Sequence, residues 1–324
     1  GYLQDGHALA ASYGGEFIDF FMRAVSLLPQ RPASAADIGC GGVYLLQKVR
    51  EQGIAVKGID PSPVTAAAGH RAGIEIVPDF YPSLSLTERF DVLFHYDVLE
   101  HVEDPVAFLR SHHANLSPRG AVIFAVPDCT QHIRLGDVSM ALHEHLNYFD
   151  EDSLSRVVRA AGFRPLLLEP ARHGGVLLCC AIPDLETIPL APAVGREKFE
   201  AFYRLDEHAL QQFASFATPD GELGLYVPLR ALPYLGRLHA EQNVRFFDDD
   251  PGLRGRYFDG LDRPVENFED LKARPPARVI VCSLVFGHKI GTRLVDEGPP
   301  GLEVLLWSDL FGKGAGDSVR LIRT

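Results

Sequence analysis

Ala35-Ala36-Asp37-Ile38-Gly39-Cys40-Gly41-Gly42-Val43 is a short apolar run that breaks into glycines and gives way to the helical spacing of Tyr44–Glu51. Glycines at a strand-to-helix turn let the backbone approach a ligand closely and leave the first helical N–H groups free to meet negative charge or lone pairs. Alone, the cluster is better read as a tight strand-to-helix turn. A second signal is Asp60 in Gly58-Ile59-Asp60, 60 − 37 = 23 residues after Asp37 and at the end of the next apolar run. A carboxylate there can accept both hydroxyls of a ribose. Its other use, capping the next helix, is less needed because Pro61 and Pro63 already start that helix.

Outward from this point, short apolar runs alternate with helical patterns. Strands are expected at Ala35–Ile38, Ile54–Ile59, Ile74–Val77, Phe90–Phe94 and Ala121–Val126, and helices at Tyr44–Glu51, Pro63–Arg71, Pro105–Asn115 and Glu151–Ala161. The apolar runs Pro165–Glu169 and Val176–Ile182 close the series, and Phe17 to Leu28 reads as a lead-in helix. Regular alternation implies an α/β fold, with a parallel sheet covered on both faces and ligands at the carboxyl ends of its strands. A helical connector is expected over 185–220, and a second, smaller α/β alternation from Leu223 onward. The predicted division is therefore 1–184, 185–220 and 221–324.

The chain has 324 residues, enough for two domains, with 46% hydrophobic and 23% charged residues. Its formal charge of −12 would repel a nucleic-acid backbone over most of the surface, so no nucleic-acid partner is expected. No apolar stretch has the length of a membrane span, and no signal-peptide layout opens the chain. The opening Gly1 leads to the expectation of a piece cut from something longer. Cys40, Cys129, Cys179, Cys180 and Cys282 show neither a disulfide framework nor zinc spacing, which fits a reducing compartment and a cytoplasmic location.

Asp37 before the glycines, the later Asp60, the stretch Phe90-Asp91-Val92-Leu93-Phe94-His95-Tyr96-Asp97-Val98-Leu99-Glu100-His101-Val102 and the phrase Leu116-Ser117-Pro118-Arg119-Gly120 resemble the successive motifs of class I S-adenosylmethionine-dependent methyltransferases. The resemblance implies a Rossmann-like fold with S-adenosylmethionine as cofactor. Asp37, Gly39, Cys40 and Gly41 would line its methionine end, Asp60 with Pro61 its ribose, and Asp79 and Phe80 its adenine. His95 and Tyr96 would sit near the sulfonium. Val43 departs from the family, which often has a third glycine there.

His143-Glu144-His145-Leu146-Asn147-Tyr148-Phe149 and His173-Gly174-Gly175 are similar to motifs of sugar-nucleotide C-methyltransferases, which also carry a C-terminal Rossmann-like domain. A sugar or nucleotide-sugar acceptor is what this resemblance implies, with His143, Tyr148, His173 and Gly174 as substrate contacts. The family's cysteine-rich zinc-binding N-terminal region has no counterpart before Cys40, and Leu225-Tyr226-Val227-Pro228-Leu229-Arg230 stands where a glycine-rich turn is usual.

A sulfonium methyl is already an activated electrophile, so the protein must align the acceptor and remove its proton. Neutral imidazole does this near pH 7, and a neighbouring carboxylate can orient it. His145 with Glu144 is the first choice for base by family resemblance, and His101 a second polar contact, although His101 could equally brace the next helix. His143, Glu144 and His145 could instead ligate a metal, but one intervening residue and no further ligand cluster place that below base catalysis, and no metal is expected. The rival readings are an O-methyltransferase acting on a sugar hydroxyl, a non-catalytic methyltransferase-like binding module, and a nicotinamide dehydrogenase.

Overall fold

The computed structural model describes residues 10–82, 86–141, 144–184, 195–216, 221–238, 244–311 and 321–322. Two compact units divide the chain, Gly1–Thr130 with His143–Pro192 and Gln131–Leu142 with Ala193–Thr324.

The first unit is built on a seven-stranded sheet. Strands β1 (Ser34–Ile38), β2 (Ala55–Ile59), β3 (Ile76–Val77), β4 (Phe90–Tyr96), β5 (Leu116–Pro127), β6 (Phe163–Pro170) and β7 (Val176–Pro183) lie in the order β3-β2-β1-β4-β5-β7-β6. The first five are parallel, with Asp37 beside Gly58 of β2 and Phe94 of β4. Here the structure corrects the fully parallel expectation: β7 runs antiparallel to both β5 and β6. The reason is connection length, because the few residues between β6 and β7 suffice for a reversal but not for a parallel crossover. Leu116–Gly120 forms the irregular start of β5, where the register against β4 shifts between Phe90 and Val92.

Helix α1 (Ala10–Ser26) buries Phe17, Phe20, Phe21, Ala24 and Val25, the i, i+3, i+4, i+7, i+8 stripe of an amphipathic helix. Helices α2 (Tyr44–Glu51), α3 (Pro63–Ala72), α4 (Pro105–Ser111) and α6 (Glu151–Ala160) complete the first unit, while α5 (Thr130–Leu135) lies almost wholly in the second. The sheet's two faces have separate cores, one containing Phe17, Phe21, Val92 and Phe94, the other Leu93, Phe108, Phe124 and Phe163. Alternate residues of β4 thus enter opposite cores.

The second unit contains α7 (Gly195–Phe216) and a six-stranded sheet of β8 (Leu223–Tyr226), β9 (Val244–Phe247), β10 (Val265–Glu266), β11 (Arg278–Val281), β12 (Glu303–Leu306) and β13 (Leu321–Ile322). Its order is β10-β9-β8-β11-β12-β13, with β13 alone antiparallel to its neighbour. Helices α8 (Leu232–Leu238), α9 (Phe268–Ala273) and α10 (Gly287–Glu297) accompany it. The strand order reverses between β8 and β11, as in nucleotide-binding sheets.

Residues 131–142 follow β5 in sequence yet belong to the second unit. Their anchor is Asp137, fully buried, whose carboxylate accepts hydrogen bonds from His132 Nδ1 (3.0 Å), the Ser139 amide (2.9 Å), Trp307 Nε1 (2.8 Å) and Tyr234 Oη (3.3 Å). Although burial opposes its charge, these donors and the nearby His132 hold the Asp137 carboxyl below its ordinary range. None of the described helices is long and apolar enough to cross a membrane.

Candidate active site

The carboxyl ends of β1, β2, β4 and β5 lie along one edge of the first sheet, and the loops that leave them carry most of the sequence-predicted residues. After β1 the chain turns through Gly39 (φ 67°) and Gly41 (φ 57°), left-handed positions that favour glycine. A Cβ at Gly39 would press to 2.9 Å from Val98 Cγ2, whereas one at Gly41 would meet only the Gly39 carbonyl at 4.0 Å and otherwise open space. The loop is therefore packed below and open above.

Asp60 ties this loop to β2. Its Oδ2 accepts the Gly41 amide and its Oδ1 the Ser62 amide, each at 2.8 Å. A carboxylate has about four acceptor positions, so two hydrogen bonds leave room for ribose hydroxyls. Asp37 is 1% exposed, and neither of its carboxylate oxygens has a hydrogen-bond partner. Burial first, and Asp60 second, push its pKa well up. Cys40 is part-buried beside this pair, its thiol likewise raised by burial. An orphaned buried carboxyl, an open glycine loop and a half-occupied acid fit the methionine and ribose ends of S-adenosylmethionine.

Other assigned positions vary. Pro61 is exposed, and Asp79 Oδ1 accepts the amide of Phe80, whose ring stands 75% exposed. Tyr96, the last residue of β4, is half-buried with its ring edge-on to Phe17 at 5.4 Å. His95 requires correction. Expected beside the sulfonium, it is fully buried on the opposite face of β4, stacked on Phe124 at 4.8 Å and edge-on to Phe108 and His112. Burial holds its pKa well below the imidazole range, with His112 a lesser cause. Period-two alternation puts its ring in the second core whenever Tyr96 faces α1.

The acceptor-side residues converge on the 3-10 turn Leu99–His101 that follows β4. The Glu100 carbonyl accepts the amides of Leu146 (2.8 Å) and Asn147 (3.1 Å), and Asn147 Nδ2 donates to the Val102 carbonyl (2.7 Å). These bonds stitch the His145 loop to the turn. His101 Nδ1 donates to the Glu144 carbonyl (2.8 Å), fixing the tautomer that leaves Nε2 as an acceptor. The His101 and His145 rings meet edge-on at 4.9 Å. Below them Glu100 is 1% exposed, with both carboxylate oxygens lacking a hydrogen-bond partner and Oε1 3.7 Å from His101 Nε2. Burial, then Asp97, raise Glu100 to about 8, and burial raises Asp97 to about 6. His145 is held below its ordinary range by burial and then by His101, with Glu144 pulling the other way.

Glu144 itself is exposed, so the acid beneath the imidazoles is Glu100 instead. The sequence reading quoted Glu100 and gave it no role; its signal was an acid adjacent to His101. Tyr148 Oη donates to the His145 carbonyl (3.0 Å), which braces the loop. His143 lies outside the described residues. His173 donates through Nδ1 and its backbone amide to Glu16 of α1, a partner the sequence reading missed, and Gly174 (φ 79°) turns the chain beside it.

Residues 11–168 match a protein family described as a methyltransferase domain. The chain is 29% identical over 147 residues to a ubiquinone biosynthesis O-methyltransferase of Ruegeria pomeroyi, covering 40% of this chain and 59% of that one. A protein of the same name from Methylobacterium nodulans is 36% identical over 105 residues, covering 30% and 42%. This chain thus spans less than two thirds of these relatives. Among solved structures, the 1,6-didemethyltoxoflavin-N1-methyltransferase of Burkholderia thailandensis, with S-adenosylhomocysteine bound, aligns with a TM-score of 0.40 and 22% identity over 53% of this chain and 89% of that one. The family match covers just under half of the chain, most of it in the first unit, which is in this respect similar to a methyltransferase domain.

Proposed function

We propose that the first unit transfers the methyl group of S-adenosylmethionine to a sugar, in the first instance a nucleotide-linked sugar, with His145 taking the acceptor's proton. The observation that carries the reading is the cluster of Glu100, His101 and His145, whose ligand atoms lie within 4.8 Å of one another on loops at the carboxyl edge of the sheet. The bound cofactor supplies an electrophilic methyl; the chain must hold and deprotonate the acceptor. His145, kept below the ordinary imidazole range, is neutral at pH 7 and offers a lone pair. His101, its Nδ1 engaged with the Glu144 carbonyl, keeps Nε2 as the ring nitrogen that would contact an acceptor hydroxyl. Glu100, raised to about 8, keeps its proton at neutral pH and so sets no negative charge against a developing enolate or alkoxide.

A nucleotide-linked acceptor draws support from the resemblance of residues 143–149 and 173–175 to motifs of sugar-nucleotide C-methyltransferases. A second reading, methylation of a sugar oxygen, is favoured by the O-methyltransferase names of the curated relatives. Labelled donor and a panel of nucleotide sugars, read by mass spectrometry for one added methyl, tests the common claim. Deuterium exchange next to a carbonyl, measured with enzyme and no donor, then separates the two: exchange supports carbon methylation, and its absence alongside transfer supports oxygen.

A further inference from the structure

We propose that Glu100, His101 and His145 form a binding site for a single divalent metal ion of the zinc type. Two imidazole nitrogens and a carboxylate oxygen are the mixed donor set that such ions select, while magnesium and calcium favour all-oxygen shells. The ligand atoms lie within 4.8 Å of one another, and the pair His101 Nε2 and Glu100 Oε1 is at 3.7 Å. Ligands about 2.0–2.1 Å from a tetrahedral ion are about 3.3 Å apart, so a small rotation of the half-buried His145 closes the shell.

Three features mark the site as prepared. Glu100 is 1% exposed with both oxygens unpartnered, a costly arrangement for a carboxyl with nothing to bind. The His101 Nδ1–H is committed to a backbone carbonyl, the usual support of a metal-bound imidazole, which aims Nε2 at the cluster. The loop and the turn are laced by the bonds of Leu146, Asn147 and Val102, so the donors on both are held in place. Asp97 interacts electrostatically with Glu100 and His101 and adds negative potential. Three protein ligands leave a fourth position open.

For the transfer reaction proposed above, on which this one consequence rests, the ion is an inhibitor: it occupies the His145 lone pair that would receive the acceptor's proton. The test uses the full chain, stripped with EDTA and dialysed, then titrated calorimetrically with zinc chloride in the absence of donor and acceptor. One ion per chain is expected, with an affinity loss of about tenfold or more in Glu100→Gln and in His145→Gln. Binding of S-adenosylhomocysteine at wild-type affinity shows that both variants fold. Equal zinc affinity in all three proteins, or no binding by the wild type, overturns the site. Cobalt(II) titration provides a second readout: tetrahedral d–d absorption in the wild type that is lost in Glu100→Gln supports the site, and its persistence there counts against it. Zinc added to the metal-free enzyme should suppress methyl transfer as the site fills, and full transfer at saturating zinc refutes the inhibition. Failure of the metal-free enzyme to methylate any sugar defeats the functional reading and leaves the binding result to stand on its own.

Discussion

Asp60 accepts the amide of Gly41 at 2.8 Å, so the acid at the end of β2 holds open the glycine loop at the end of β1. One side chain therefore sets the loop's shape and faces the expected position of the ribose. Asp60→Asn keeps the size and loses the charge and half of the acceptor capacity. A fall in S-adenosylhomocysteine affinity of about 10- to 100-fold is expected by calorimetry, the worth of one or two hydrogen bonds to a charged group. An affinity within about twofold of wild type would remove Asp60 from the cofactor site.

His145→Gln tests the acceptor side in the opposite manner. Loss of a general base lowers turnover by about 10²- to 10⁴-fold. Cofactor affinity should stay at the wild-type level, because His145 lies on a loop apart from the glycine turn. Unchanged turnover would take the base role away from this residue.

The buried histidines of the second core give a pH signature. His112 is held at about 3 by burial, and His95 well below its ordinary value. Both folded values lie below the unfolded one, near 6.5, so between about pH 6.5 and 3 the unfolded chain binds protons that the folded chain refuses. Stability from these groups is complete above pH 6.5 and declines as the solution is acidified, by up to about 1.4 kcal/mol per pH unit for each histidine. His112→Phe should flatten the urea-midpoint profile of the first unit across that window. A slope matching wild type would show that His112 takes up its proton while folded.

Asp137 gathers four donors in the second unit, and Asp137→Ala strands all of them in a dry interior. A destabilisation of about 3–5 kcal/mol is expected in chemical unfolding, read by the fluorescence of Trp307, the single tryptophan. A shift under about 1 kcal/mol would show that these groups find water or other partners.

The parts of this molecule legible in its sequence are those where one physical cause dominates. Glycines at Gly39 and Gly41 announce a left-handed turn, and the spacing of Phe17, Phe20, Phe21, Ala24 and Val25 announces a one-faced helix. Strand direction is different in kind: Val176–Pro183 is as apolar as a parallel central strand, and its reversal comes from the length of a loop. His95 was misplaced because β4 is buried on both faces, so its residues lack the polar alternation that tells one side from the other. Glu100 went unassigned because a buried carboxyl without partners arises only when the Leu99–His101 turn and the His145 loop close over it. In the second unit, β10 and α9 span two and six residues, too few for any periodicity to register.

Residues 131–142 leave one unit, embed Asp137 in the other, and are followed directly by the strand-flanking loop that bears His145. The chain is threaded rather than concatenated. A scissile cut near residue 190 would not yield two self-sufficient halves: the upstream fragment would keep a twelve-residue excursion stripped of its Trp307 and Tyr234 contacts, and the downstream fragment would have a cavity where Asp137 had been. Dissecting this protein therefore calls for point changes in the intact polypeptide.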